Sequence, residues 1–485
     1  PSRIDLQINL AWALAHYFRF DESRQLLDNL DQMVVNHRDD ITPNAWLKLR
    51  VVRAICEAFA EKIPESLAIV EPLLAKVPCG DTWVDGLICN ILSYCHVVNQ
   101  RYSDALEVQR HMPCPESPLD NLFVSVYRAF IITQCHLGQG DLENAWGHAE
   151  NALRQAERYT GPQSTSGATL APLLAEMAYE RMNLDSLNTL LADRLEFIDR
   201  FGPPDALSRC YTYLARQALN DDMPHEAERL LEHAQRLAVS RGWQRPQALL
   251  LAEQARVRLQ RANYPGAEQL HRQLEQLAAR ATIDAENPCQ RAIAQHANVS
   301  RSRLLLASGQ APQASLLLGE LVTEQERRGD RLSAARLRTL WSLSLWNSGE
   351  NAAAVAALQP VLQLAAQQHL KRIFLDAGDA LQPLLVRVRE TSAASEGDDP
   401  WPGKGSLSEG KRIEHENLDV NQELSERELQ ILQLIADGQM NKEIARSLTI
   451  STETVKWHIK NIYAKLKVNS RTQAMSRALE MKLLD

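Results

Sequence analysis

Strands have almost no foothold in this 485-residue chain, because runs of Val, Ile and Thr in strict alternation are absent. That absence excludes a sheet-based body. No window reaches 18 consecutive apolar residues, so no membrane-spanning helix is expected. The start at Pro1 has no basic stretch followed by an apolar signal core, and it lacks an initiator Met; a longer chain retained in the cytoplasm is the expectation. The eight cysteines form no C-x-x-C pair, and no histidine pair has zinc spacing, so reduced thiols and no metal are expected. Glycine-rich phosphate loops, G-x-S-x-G elbows and H-E-x-x-H helices are all missing, which leaves no catalytic residues and no cofactor to assign. An enzyme is therefore not expected in these residues.

What remains is helical. Ala, Leu, Gln, Glu and Arg dominate, all good helix formers. Similar junctions recur between apolar-periodic segments: Phe20-Asp-Glu-Ser23, Ile63-Pro-Glu-Ser66, Tyr102-Ser-Asp-Ala105, Leu142-Glu-Asn-Ala145, Leu184-Asp-Ser-Leu187, Pro224-His-Glu-Ala227, Tyr264-Pro-Gly-Ala267, Ala311-Pro-Gln-Ala314 and Asn351-Ala-Ala-Ala354. Each junction follows the last by about 40 residues, a period that marks a repeat architecture. The spacing predicts a helical hairpin per unit, with a small residue opening the second helix so that the pair can approach closely. One hairpin cannot bury its own apolar face, so neighbours must stack into a superhelical solenoid over residues 1–389. This array resembles a tetratricopeptide-type solenoid with longer units. It serves either as a spacer and protein-binding scaffold or as an effector-sensing and self-association domain; composition does not choose. Trp12, Trp46, Trp83, Trp146 and Trp346 read as packing between helices rather than a ligand cage.

The pattern stops near Arg389. Residues 391–410 are rich in Ser, Gly, Asp and Pro, with Trp401 and Leu407 as their bulky apolar exceptions, and the stretch 390–420 reads as a flexible linker. Charge changes sign across it. The chain carries −8 from 53 basic and 61 acidic residues, yet residues 421–485 hold ten basic and eight acidic ones, a net +2. A small basic module behind an acidic body points to a polyanion partner.

Within that module, Ser425-Glu-Arg-Glu428 is a capping box opening one helix, Gly438 suits a left-handed stop, and Asn441 caps a second short helix. A third helix from about Thr452 to Lys467 places Val455, Ile459, Ile462 and Leu466 on one stripe and Glu453, Lys456, Trp457 and Lys460 on the opposite side. His458 and Tyr463 read as packed supports. Ser470-Arg-Thr-Gln473 opens a fourth helix, whose Ala474, Ala478 and Met481 are candidates for contact between two copies. Two short helices and a tight turn, the second with a cationic outer face, make a helix-turn-helix.

The segments Leu424–Glu428, Asn441–Ala445, Ile450–Leu466 and Ser470–Ala474 resemble the LuxR/GerE-type DNA-binding domain. Together with the repeats and the Arg372-Ile-Phe-Leu-Asp-Ala-Gly378 segment, the chain resembles the C-terminal part of a MalT-like large LuxR-type regulator. The resemblance implies an all-α fold, an array followed by a tethered four-helix module. It also implies an inducer-responsive activator, with double-stranded promoter DNA, RNA polymerase and a small-molecule or protein inducer as partners, self-association when active, and an ATP-binding domain upstream. Lys456, Trp457 and Lys460 are its base-contacting candidates. Lys442, Thr452, Thr454, Lys465 and Arg471 flank the helix ends and are expected on phosphates. The rival reading is an adaptor scaffold whose terminal module dimerises instead of binding DNA; the basic helix face argues against it, because protein-docking helices favour apolar anchors.

Overall fold

The computed structural model describes residues 3–36, 42–113, 121–281 and 287–392, and in the terminal module 424, 426–448, 455, 458–459, 462–463, 465–466, 468, 471–481 and 483. Every described element is helical. Eighteen helices form nine successive hairpins, each an inner helix followed by an outer one. The pairs are α1 (Arg3–His16) with α2 (Phe20–Asn36), α3 (Pro43–Phe59) with α4 (Ile63–Val70), α5 (Thr82–Val98) with α6 (Tyr102–Arg110), and α7 (Leu122–Gly138) with α8 (Leu142–Thr160). Then come α9 (Thr165–Glu180) with α10 (Leu184–Leu191), the extra helix α11 (Leu195–Phe201), α12 (Pro204–Asn220) with α13 (Pro224–Ser240), and α14 (Gln244–Gln260) with α15 (Tyr264–Ala281). The array finishes with α16 (Pro288–Ala307) and α17 (Ala311–Arg328), α18 (Arg331–Asn347) and α19 (Asn351–Gln368), the single turn α20 (Arg372–Leu375), and α21 (Gln382–Ser392).

The repeat register is the expected one. All nine outer helices begin at the first residue of the junction motif, three residues before the small residue rather than at it. That small residue then sits one turn in, and Ser23, Ser66, Ala105, Ala145, Leu187, Ala227, Ala267, Ala314 and Ala354 are all without exposed surface. Ser23 and Ser66 use the close approach directly: their hydroxyls donate to Ala11 O (2.9 Å) and Ala54 O (2.8 Å) of the preceding helix.

A left-handed residue recurs two places before each outer helix: Phe18, Glu61, Gln100, Gly140, Met182, Asp222, Ala262, Gly309 and Gly349. Left-handed backbone costs a residue with a Cβ roughly 1–2 kcal/mol, yet six of these nine positions are not glycine. At Ala262, exposed and with φ +54°, nothing offsets that cost. Ala262→Gly is expected to raise stability by up to about 1 kcal/mol, after the extra unfolded-state freedom of glycine is subtracted; a urea-unfolding midpoint checks it.

Inner and outer helices bury themselves differently. On α13, Ala227, Leu231, Ala234 and Ala238 are the buried residues, one stripe at i, i+4, i+7 and i+11. On α9, every residue from Ser166 to Glu180 is buried. A helix enclosed on all sides belongs to the centre of the body, and the inner helices accordingly surround the superhelix axis. The array coils back so that distant units touch: the Trp243 indole N–H donates to Phe59 O (2.8 Å), and the Tyr102 hydroxyl donates to Asp330 (3.0 Å). Gln100 donates to both Gln325 (2.7 Å) and Asp330 (2.9 Å), which gives its left-handed backbone a purpose.

One boundary of the array shifts. Helix α21 runs to Ser392, three residues past the expected end of the array, and the remaining linker, residues 393–420, lies outside the described residues. The five tryptophans divide: Trp12, Trp83, Trp146 and Trp346 pack against the core, while Trp46 is 40% exposed. All seven described cysteines are free. Among the described residues, no helix is long and apolar enough to cross a membrane, and no cluster of three His, Cys, Asp or Glu is placed to hold a metal.

Candidate nucleic-acid interface and central cavity

The terminal module has its own core. Helix α22 (Glu426–Ala436) contributes Ile431, Leu432 and Ile435, and α23 (Asn441–Ser447) contributes Ile444 and Ala445. Gly438, at φ +80°, makes the left-handed stop between them. The cap of α23 is Met440, not Asn441: the Met440 N–H donates to the Glu443 carboxylate at 2.6 Å, and the helix starts one residue earlier than its sequence suggests. On the third helical segment, Val455, Ile459, Ile462 and Leu466 are all buried in this core, and His458 is buried beside them. This is the stripe that the sequence predicts. Lys456, Trp457 and Lys460, together with Thr452, Thr454 and the Ser425 cap, lie outside the described residues.

The flanking cations separate into two groups. Lys442 is exposed at the start of α23. Lys465 and Arg471, expected on phosphates, are instead engaged inside the bundle. The Lys465 ammonium lies 2.7 Å from the carboxylate of Glu428, which is 3% exposed, so this pair locks the third segment to α22. The Arg471 guanidinium donates to Ile435 O (3.1 Å) and Gln439 O (2.7 Å), capping the end of α22. Both contacts bring a cation onto acceptors at the inner side of α22 and its end. The last helix, Arg471–Glu480, stops short of the expected Leu484. Its Ala474 and Ala478 are fully buried in the module's own core, which removes them as a contact between copies; Met481 stays exposed.

A second site lies in the array, and the sequence did not disclose it. Helices α5, α6, α7, α9, α12, α14, α16, α17 and α18 line a half-open cavity of about 460 Å³. Six arginines and four carboxylates line it: Arg209, Arg216, Arg245, Arg291, Arg328 and Arg336 against Glu176, Asp205, Glu324 and Asp330. Glu176 is 1% exposed, accepts from the Tyr213 hydroxyl (2.8 Å) and Arg336 (2.8 Å), and pairs with Arg209. Burial opposes its ionisation, but the Arg209 and Arg336 charges outweigh burial and bring its carboxyl down to about 2. Arg245 joins distant units by donating to Glu61 (3.0 Å) and Asp205 (2.5 Å). His296, also on the wall, is held neutral by burial, its imidazole lowered to about 4.

Beyond Arg216 and Arg336 lies a smaller cavity of about 70 Å³, closed by Ile373, Asp376 and Ala377 of the Arg372–Gly378 segment. That segment is docked firmly: Lys371 N–H donates to Glu180 O (3.0 Å), and Asp376 accepts from the Tyr179 hydroxyl (2.8 Å) and from Arg216 (3.5 Å). The clue to this interior was charge in the wrong phase, such as Glu176, Glu253 and Arg256 on helices whose other faces are also apolar.

The family model described as MalT-like TPR region matches residues 48–391. That described as bacterial regulatory proteins, luxR family, matches residues 422–478. The HTH-type transcriptional regulator AlkS of Alcanivorax borkumensis is 20% identical over 488 residues, covering 98% of this chain and 54% of that protein. The HTH-type transcriptional regulator MalT of Serratia proteamaculans is 21% identical over 500 residues, covering 97% and 53%. The transcriptional regulatory protein LiaR of Bacillus subtilis is 46% identical over 84 residues, 17% of this chain and 40% of that protein. The chain thus spans about half the length of the full-length relatives it matches. In fold alone it is similar to a Rap protein solved with Competence and Sporulation Factor, with a TM-score of 0.55, 12% identity, and coverage of 76% of this chain and 99% of that one.

Proposed function

The chain belongs to the MalT-like TPR family, and from that premise we propose that it is the sensing and DNA-binding part of an inducer-responsive transcriptional activator. The reading places it in the cytoplasm, on double-stranded promoter DNA, with RNA polymerase as the downstream partner and self-association in the active state. One observation carries it: the luxR-family match coincides with a module whose third segment buries Val455, Ile459, Ile462 and Leu466. That register is the one in which the sequence reading turns Lys456, Trp457 and Lys460 toward the major groove.

Binding of the full chain to promoter duplexes across salt concentrations tests this. Lys456→Ala or Lys460→Ala is expected to weaken binding by about 1–3 kcal/mol where the lysine meets a base edge. A lysine on a phosphate would lower the affinity for all sequences alike and reduce the salt slope by about one. Unchanged affinity in both variants, with the helical signal intact, removes the groove assignment. It would turn the module toward the rival role, contact between protein copies.

For the array, the cavity supports sensing over a passive spacer. A spacer has no use for a half-open chamber whose wall carries the buried carboxylates Glu176, Asp205 and Asp330, because each buried ion costs several kcal/mol in desolvation. A chamber of this size also falls in the range of small-molecule sites, about 300–1,000 Å³.

A further inference from the structure

The smaller cavity sits where five inner helices and the docked Arg372–Gly378 segment converge. Arg216 comes from α12, Arg256 from α14, Arg303 from α16 and Arg336 from α18, with Glu180 and Asp376 as the carboxylates on the wall. Three of the four guanidiniums have a carboxylate partner: Arg216 and Arg256 share Glu253 (2.7 and 2.8 Å), and Arg336 donates to Glu180 (2.7 Å). Arg303 has none. Among the described residues it makes no hydrogen bond and no ion pair, and it remains partly open to the cavity. Burial, with Arg256 and Arg216 close by, lowers its guanidinium to about 10 despite the field of Glu253.

The surplus is of donors. Of the lining residues, Arg256 Nη2 and Arg336 Nε are buried and find no acceptor, against the lone unmatched acceptor Glu180 Oε2. A structural arginine in this half-buried position would be matched by a carboxylate, as its three neighbours are, because an unmatched charge withdrawn from bulk water is destabilising. A guanidinium fork left open presents parallel N–H groups shaped for two oxygens of one anion. The space is right for a compact group rather than a whole ligand, and the cavity of about 460 Å³ beyond Arg216 and Arg336 can take the remainder.

We propose that this convergence point binds a small effector through a carboxylate or phosphate group, which Arg303 receives and Arg216, Arg256 and Arg336 flank. The assignment of the ligand as an oxyanion rests on the effector-sensing reading above and narrows it. It also gives the docked segment a part in signalling. An anion here shares Arg216 with Asp376, so occupancy bears directly on the residues that lead into α21 and the linker.

Thermal unfolding of the full chain tests the site, with sodium phosphate and sodium succinate titrated separately against sodium chloride at constant ionic strength. The expected result is a saturable rise of a few degrees with at least one of the two oxyanions, as ligand linkage requires, and the arm that responds identifies the group. Arg303→Met should abolish the rise. It should also unfold at or above the temperature of the parent without ligand, since it removes an unmatched, half-buried charge; Arg303→Lys should keep a weakened response. No rise with either anion overturns the proposal. So does an equal rise in Arg303→Met, or a marked fall in its ligand-free unfolding temperature, which would mark Arg303 as structural. An Arg303-dependent rise that changes neither DNA affinity nor self-association supports the anion site and overturns the sensing role.

Discussion

Trp243→Ala is expected to lower the stability of the array by about 3–5 kcal/mol, the range for deleting a buried aromatic. Trp243 is the largest fully buried side chain, and it closes the superhelix rather than a single hairpin. Its ring meets Phe18 at 4.7 Å, and the Arg241 guanidinium lies 4.8 Å from the ring centroid. Its N–H reaches Phe59 O, 184 residues away. Alanine would leave that carbonyl without its partner and open a cavity between units that chain connectivity does not hold together. Trp243→Phe isolates the hydrogen bond: it keeps most of the packing and should cost about 1–3 kcal/mol. Urea unfolding gives both values, and small-angle scattering should show the alanine variant expanded. A loss below about 1 kcal/mol, with unaltered dimensions, would mean that the closure carries little of the stability.

The second large effect concerns acid and Glu176. Replacing Glu176 with Gln leaves Arg209 and Arg336 facing a neutral group in a buried site, and about 3 kcal/mol of stability should be lost at pH 7. The same carboxylate shapes the pH dependence. Its folded-state pKa of about 2 lies below the ordinary 4.5, so its contribution is complete above 4.5 and disappears as pH falls through 2. Half-buried His16 and His296 act earlier: both are lowered from 6.5 to about 4, so the folded form binds fewer protons than the unfolded chain in that window. Stability should therefore decline in two stages as pH falls, first between 6.5 and 4 and then below 4.5. Each group accounts for up to about 3 kcal/mol. In Glu176→Gln the lower stage should shrink while the upper stage persists. Equal slopes below pH 4.5 in parent and variant would contradict the assignment.

The contrast between what the chain disclosed and what it concealed is physical. Hairpin starts were legible because a small residue one turn into each outer helix is a local steric requirement, and Ala227, Ala267 and Ala354 satisfy it within a few residues of their turns. The buried stripe of the third module segment was legible for the same reason: helical periodicity is local. Closure of the superhelix was not, since Trp243 with Phe59 and Tyr102 with Asp330 are pairs separated by 184 and 228 residues. Nor was the charged interior. An arginine such as Arg216 or Arg336 looks, in sequence, like any solvated helix residue until inner helices converge around it. In the module, Lys465 and Arg471 read as groove cations, and the structure binds them to Glu428 and to the end of α22. The extra helix α11 was also missed; it follows an outer helix of eight residues and occupies length that units such as α7–α8 and α12–α13 give to a longer second helix.

The way the Arg372–Gly378 segment is seated also governs how the protein can be dissected. Because it is anchored on Tyr179, Glu180 and Arg216 in the middle units, the exit toward α21 and the linker begins at the heart of the array and not at its far edge. A chain cut after α19 would strip a wall from units two hundred residues upstream, whereas a cut after Ser392 leaves every one of those anchors in place.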